Sequence, residues 1–471
     1  ELRDPEPDGG RADDPVELRT FREVYGRPRD PFYNPNLSEG RAFEVAPDGP
    51  LPLPEVLGDP PVRLLVASHN LNNPEGAPRY LSEIVLGLKE RGRVEPAVFS
   101  PSGGAGERAY REAGVPVVVG DLPERRRFVD GLWSPLEYDA VQRYLAGLLR
   151  DRRPEAVLAN TLLCFPVIEA AARAGVPSVW VIHESYSPAH MARLFSPYGR
   201  ARCEAAFALA SRVVPASHDT ADLFRHRNVR GNFQVLHNGL IAADFDDYLR
   251  RVSREEAAAT IPGPPGRRRV VNVGTVCERK GQHTLVEAAA LLRRRRDDFC
   301  CYLVGMREQV PYAGYVRHLI REHGLEEFVL PVAETDNVRA FYRAADVFVC
   351  TSHMEAFSRS VLEAEAFGLP VVSTACCGVG EQVFWGANAL RFEPGDAAAL
   401  ADHLDRLLGD DALRSRMAER SRAAFDNHLS YAEMLDRYER VVLSVSRHGP
   451  RARLPLPERE VEADAPARRA A

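Results

Sequence analysis

"DVFVCTSHMEAFSRSVLEAEAFGLPVVST", residues 346–374, decides how this chain folds. A β-branched run, "DVFVCTS", meets a short loop, "HMEAFSR". A helical pattern, "SVLEAEAF", then ends at Gly368, the expected C-cap, and gives way to "LPVVST". Both flanking runs are apolar without alternation, as strands buried on two faces are. Three carboxylates, Glu355, Glu363 and Glu365, nonetheless fall inside the unit. Unpaired buried carboxylates are expensive, so the fold or a ligand has to supply partners for them.

The same alternation runs through most of the chain. Apolar runs occur at 62–68, 94–100, 115–120, 155–161, 177–184, 212–217 and 233–239. After the breaker "IPGPPGRRR" they resume at 270–276, 299–306, 327–332, 346–352 and 370–375. Runs of this kind separated by helical patterns of about 10–15 residues imply parallel sheets covered on both faces. The expected fold class is α/β, with two doubly wound, Rossmann-like domains facing a cleft. The first spans 61–245 and takes in a returning C-terminal helix at 430–447; a linker at 246–268 leads to the second, at 269–429. Residues 1–60, rich in Pro, Gly and acid, are expected to form a disordered or docking arm, and 448–471 a disordered tail.

At 471 residues, with 45% hydrophobic and 27% charged side chains, the chain has the balance of a soluble globular protein and the length for two domains. Its net charge of -6 argues against a nucleic-acid partner. No run approaches the roughly 20 apolar residues that cross a bilayer. The start shows no basic-then-apolar leader, and a chain opening on Glu1 is expected to have lost its initiator. The expected location is cytoplasmic. Arginine clusters at 125–127, 267–269 and 293–296 leave room for peripheral contact with anionic lipid at the inner membrane face, although a solvated helix end is the plainer reading of 293–296. The eight cysteines show no C-x-x-C and no finger-like Cys/His spacing, and read as small buried hydrophobes.

In open α/β sheets ligands sit outside the C-terminal strand ends. Glu355 occupies a loop at such an end, and Glu363 is expected in the first turn of the next helix. The backbone N–H groups and positive helix end around Phe357, Ser358, Arg359 and Ser360 form a phosphate-ready site. Ser360-Val-Leu-Glu363 also reads as a capping box, which would give Glu363 a purely local role. Lys280, in "ERKGQ", shares with Lys89 the distinction of being the only lysines among 61 basic residues. An ammonium there could neutralise an anionic leaving group. In the first domain, His183 and Glu184 end the strand of "VWVIHESYSP" on the cleft side. Gly76 and Ala77 lie after the first strand, where small residues admit close backbone approach.

Four segments, "EAFSRSVLE", "GLPVVSTACCGVGEQV", "VGTVCERKGQHTLVEAA" and "VLHNGL", taken together with their spacing along the chain, resemble the retaining GT-B glycosyltransferases of family 4. The first matches that family's E-x7-E signature, and the likeness runs over most of 61–447. The resemblance implies a GT-B fold and a metal-independent hexosyltransferase that retains anomeric configuration. Such an enzyme moves a hexose from a UDP- or GDP-linked nucleotide-diphosphate sugar to a hydroxyl of a glycan, lipid or small-molecule acceptor. The nucleotide sugar is a co-substrate, and no cofactor is implied.

By the same resemblance, Glu355, Lys280 and His183 are the catalytic residues, with Glu355 on the transferred sugar, and Glu363 holds the ribose hydroxyls. Arg279, Gly274, Thr275, Phe357, Ser358, Arg359 and Ser360 contact the donor, while Gly76, Ala77 and Glu184 lie on the acceptor side. Glu365 is expected to be structural. The chain departs from the family pattern at Thr275, where arginine is usual and for which Arg279 is the expected substitute. It departs again at Cys377, in place of the first glycine of a pair, and at Ala356, in place of glycine. An epimerase or phosphorylase on the same fold, or a non-catalytic nucleotide-sugar-binding protein, are the alternatives. A nicotinamide oxidoreductase ranks last, because "SHNLNNPEGAP" holds no G-x-G-x-x-G.

Overall fold

The structure, a computed structural model, describes residues 60–72 and 76–448. The arm at 1–60 and the tail at 448–471 therefore lie outside the described residues, apart from Pro60 and His448.

Two six-stranded, wholly parallel sheets carry the described residues. The first contains β1 (Val62–Ser68), β2 (Val94–Ser100), β3 (Val117–Val119), β4 (Ala156–Asn160), β5 (Ser178–Ile182) and β6 (Arg212–Pro215), in the order β3-β2-β1-β4-β5-β6. The second contains β7 (Arg268–Val273), β8 (Phe299–Met306), β9 (Val329–Ala333), β10 (Val347–Cys350), β11 (Val371–Thr374) and β12 (Ala389–Phe392). Its order, β9-β8-β7-β10-β11-β12, repeats that of the first. Every residue of β4, β5, β8, β10 and β11 is buried, which is why their runs read as unbroken apolar stretches. Strand order reverses beside β1 and β4 in one sheet and beside β7 and β10 in the other, and each reversal opens a crevice at the C-terminal strand ends.

Two strand expectations need correcting. The run at 233–239 lies beside β6, with Gln234 N donating to Val213 O at 2.9 Å and Leu236 N to Pro215 O at 3.1 Å, but forms a single bridge, Val213↔Phe233. Pro215 has no N–H to return, so the ladder stops there. Conversely, β12 was not expected; "ALRF" is a four-residue edge strand with Arg391 exposed, too short and mixed to stand out.

The segment 246–268 carries the end of the helix Ala242–Arg251 and the helix Arg254–Ala259. Phe245, Ala257 and Ile261 are buried in the same core as Val271, Tyr302 and Phe348 of the second sheet. The helix Tyr431–His448 crosses to the first sheet's side. Tyr431 donates its hydroxyl to Glu83 O at 2.7 Å, and Leu435 occupies the space that a side chain at Gly87 would need. Its buried Met434, Tyr438 and Val442 continue that contact. All eight cysteines are free thiols, and no helix among the described residues is long and apolar enough to cross a membrane.

Candidate active site between the two sheets

The helix Arg359–Ala366 begins the site. Its C-terminus closes as expected: Gly368, at φ +68°, donates to Glu365 O at 2.9 Å while Leu369 N reaches Ala364 O at 2.9 Å. The N-terminus differs from the expectation. Ser358 is the N-cap, no side chain caps it, and the Ser360–Glu363 capping box does not form. Glu363 accordingly lies in the second turn, not the first. A distant residue defines this start: Gln382 accepts from Ser358 N at 2.7 Å and donates to Ser358 O at 2.8 Å. Ser358 is thereby buried, its hydroxyl 3.1 Å from that of Ser360, and it does not line the cleft.

Each of the three acids finds a partner. Glu363 accepts from Tyr342 Oη at 3.0 Å and from Arg359 Nε at 2.9 Å. Glu365, fully buried, meets Asn388 Nδ2 at 2.8 Å and His428 Nε2 at 2.9 Å, away from the cleft. Burial raises the Glu365 carboxyl above the ordinary range, with His428 opposing it. Glu355 receives Lys280 Nζ in a direct ion pair and Ser352 Oγ at 2.8 Å, with Arg279 Nη1 at 3.6 Å. Burial works to raise its pKa, but the Lys280 and Arg279 charges outweigh it and hold the carboxyl below the usual carboxylate range.

Lys280 reaches Glu355 because two loops are stitched together. Thr351 Oγ1 donates to Lys280 O at 2.7 Å, and His353 N to Arg279 O at 2.8 Å. Gly281, at φ +61°, permits this approach, since a Cβ there would lie 2.4 Å from Thr351 O. Gly274 borders the Lys280 stem, and Thr275 accepts from Gln282 Nε2 at 3.4 Å. With no arginine at 275, the second cation of this wall is Arg279, which also donates to Met354 O at 2.8 Å.

The opposite wall comes from the first sheet. His183, following β5, stacks on Tyr80 with centroids 6.3 Å apart and planes 6° off parallel. Its Nε2 is buried without a protein partner, and burial pushes its pKa from 6.5 down to about 4, leaving a neutral ring at neutral pH. Glu184 turns Oε2 to the backbone N–H groups of Leu162 at 3.0 Å and His183 at 3.1 Å, so one oxygen braces the wall. Gly76 and Ala77 face the cleft at the start of the helix Gly76–Glu90, and Ala77 O accepts from Asn160 at 3.2 Å. Arg359 joins the walls, donating to Glu83 at 2.8 Å and lying 4.9 Å from the Tyr80 ring centroid.

Together these groups line a cleft of about 1500 Å³ that gathers His183, Glu184, Gly76, Ala77, Gly274, Thr275, Arg279, Lys280, Glu355, Phe357, Arg359, Ser360 and Glu363. Sequence reasoning missed Tyr342, Gln382, Ser352 and Tyr80. Of these, Ser352 ends the quoted run "DVFVCTS" and Gln382 lies within "CGVGEQV", but nothing local points to the partner of either, which for Gln382 is 24 residues away.

Residues 75–239 match the family model described as a glycosyl transferase 4-like domain, and residues 253–424 match that of the glycosyl transferases group 1. The chain belongs to the GT-B glycosyltransferases of the family 4 type. This GT-B chain is 31% identical over 212 residues to D-inositol 3-phosphate glycosyltransferase of Pseudarthrobacter chlorophenolicus, covering 44% of the chain and 50% of the relative. It is 33% identical over 175 residues to the lipopolysaccharide core biosynthesis glycosyltransferase LpsE of Rhizobium meliloti, covering 37% and 49%. The GT-B chain thus spans about half the length of these curated relatives. Among solved structures, its fold is similar to sucrose-phosphate synthase of Thermosynechococcus elongatus, with a TM-score of 0.68, 19% identity, and coverage of 82% of this chain and 99% of that one. It is also similar to Anabaena HepE in complex with UDP-glucose, with a TM-score of 0.65, 21% identity, and coverage of 81% and 100%.

Proposed function

We propose that this protein transfers a hexose from a nucleotide-diphosphate sugar to an acceptor hydroxyl with retained anomeric configuration. The observation that carries the reading is the Lys280–Glu355 pair, flanked by Arg279 and the helix start at 358–360, facing His183 across the cleft. The diphosphate lies against the open helix end and Lys280, whose ammonium meets the charge that develops as the C1–O bond to phosphate breaks. The acceptor oxygen forms its bond to C1 on that same face, and its proton passes to the departing phosphate oxygen. Glu355, held as a carboxylate, accepts hydroxyls of the sugar, and Glu363 those of the ribose. His183 Nε2, buried and unpartnered, takes a hydrogen bond from the substrate near the reacting carbon. Lys280, Arg279 and the helix end supply the positive charge, so the reading needs no metal here.

HepE was crystallised with UDP-glucose, which favours a UDP-hexose donor, and the names of the relatives favour a sugar-phosphate or glycan acceptor. The test is a thermal-shift panel of nucleotide sugars on wild type and Glu363→Ala. The donor should raise the wild-type melting temperature. Glu363→Ala should bind it at least about tenfold more weakly, the cost of one lost charged hydrogen bond. A panel with no shift sinks the proposal. Binding without transfer to any acceptor leaves a nucleotide-sugar-binding protein, and isomerised donor without acceptor leaves an epimerase.

A further inference from the structure

Behind the cleft, three side chains from different parts of the fold converge. His218 opens the helix His218–Leu223 after β6, and His237 lies on the edge segment beside β6. Glu381 ends the turn Cys377–Glu381 after β11. One ligand atom from each lies within 4.8 Å of the other two. His237 Nε2 is already 2.9 Å from Glu381 Oε2. The carboxylate is oriented from behind by His218 N at 2.9 Å and Asp219 N at 2.8 Å, the kind of outer support that metal-binding carboxylates have. The His237 ring stacks on Phe357 at 4.6 Å and 11°, which fixes its direction.

We infer that His218, His237 and Glu381 form a binding site for a divalent first-row metal ion, zinc foremost, shared between the two sheets. Two imidazoles and a carboxylate are a common zinc ligand set, and a water completes four-coordination. Zinc–nitrogen and zinc–oxygen bonds near 2.0–2.2 Å place tetrahedral ligand atoms about 3.3 Å apart. The His237–Glu381 pair is close to that spacing, and the exposed His218 closes the rest by side-chain rotation. The ion takes the place of the proton between His237 Nε2 and Glu381 Oε2, which leaves to solvent.

Because two ligands belong to the first sheet's side and one to the second's, an occupied site holds the walls of the cleft together. Through Phe357, it also steadies the loop that carries Glu355. This role is separate from the chemistry proposed for Lys280, and neither depends on the other.

Equilibrium dialysis of the untagged full chain against zinc provides the test, with cobalt substitution and its visible absorption bands as a second readout. One zinc per chain is expected, bound at least about tenfold more weakly by His218→Ala, as losing a supporting group alone costs that much. The double variant His218→Ala/His237→Ala should lose both the stoichiometric ion and the cobalt bands, while Cys277→Ser, which removes a half-buried free thiol outside the cluster, binds as wild type. His218 is exposed, so its replacement leaves the fold intact, which far-ultraviolet circular dichroism checks. Zinc affinity unchanged in His218→Ala, binding lost in Cys277→Ser, or no stoichiometric binding in wild type would each overturn the site.

Discussion

Lys280 and Glu355, with side chains 17% and 9% exposed, are shielded enough for the loss of either to be felt. Lys280→Met should cost about 3 kcal/mol, the low end for breaking a buried pair, because Arg279 and Ser352 still attend Glu355. Adding Glu355→Gln should recover part of that in urea unfolding. Turnover of the still-folded Lys280→Met chain should fall by at least about 10²-fold at saturating donor; near-normal turnover removes the ammonium from the mechanism. His183 sets a pH dependence. Its folded pKa, about 4, lies below the ordinary 6.5, so the unfolded chain takes up a proton first as pH falls. Its contribution is intact above about 6.5 and is lost progressively down to about 4, by up to about 3 kcal/mol. In His183→Asn, the stability curve should be flatter over that window; an unchanged slope would show the ring to be solvated.

At the scale of elements, the turn Cys377–Glu381 holds a non-glycine residue in the left-handed region. Cys377 adopts φ +44°, a conformation glycine occupies at little cost. Gly378 has no alternative, since a Cβ there would sit 1.6 Å from Ala356 O. Cys377→Gly should be neutral or stabilising by up to about 1 kcal/mol, whereas Gly378→Ala should destabilise by about 3 kcal/mol or more. Denaturant midpoints compare the two directly. The helix at 359–366 shows why local pattern misled. S-x-x-E has the same spacing inside a helix as at its start, and only Gln382, packed in from the following turn, decides which applies. Its Gly368 terminus was legible because αL termination is written in one residue.

For the whole molecule, the returning helix Tyr431–His448 is fastened to the helix Gly76–Glu90 beside the first sheet. Leu435 is 5% exposed and fills the notch at Gly87, with Asp436 on Arg91 and Glu439 near Arg93 around it. Leu435→Ala should cost about 3 kcal/mol by leaving a cavity there. A melting temperature within a degree of wild type would mean that the helix is held by its polar rim instead. The Arg359–Glu83 bridge adds a second link between the walls, directly in the cleft.

The succession of strands and helices, and hence two parallel sheets with a cleft at their C-terminal ends, was determined by sequence alone. Doubly buried strands leave a local apolar signature that needs no knowledge of neighbours. The exceptions, 233–239 and β12, are edge segments, where pairing depends on one proline or on a few mixed residues. Which groups meet was decided only in three dimensions. Lys280 finds Glu355 75 residues away because β7 and β10 are neighbours in the sheet. Glu363 pairs with Tyr342 across a helix contact, and Glu381 meets His218 and His237 only where the two sheets approach each other. Periodicity records which face of an element is buried, whereas the identity of the partner on that face is set by chain crossings that leave no local trace.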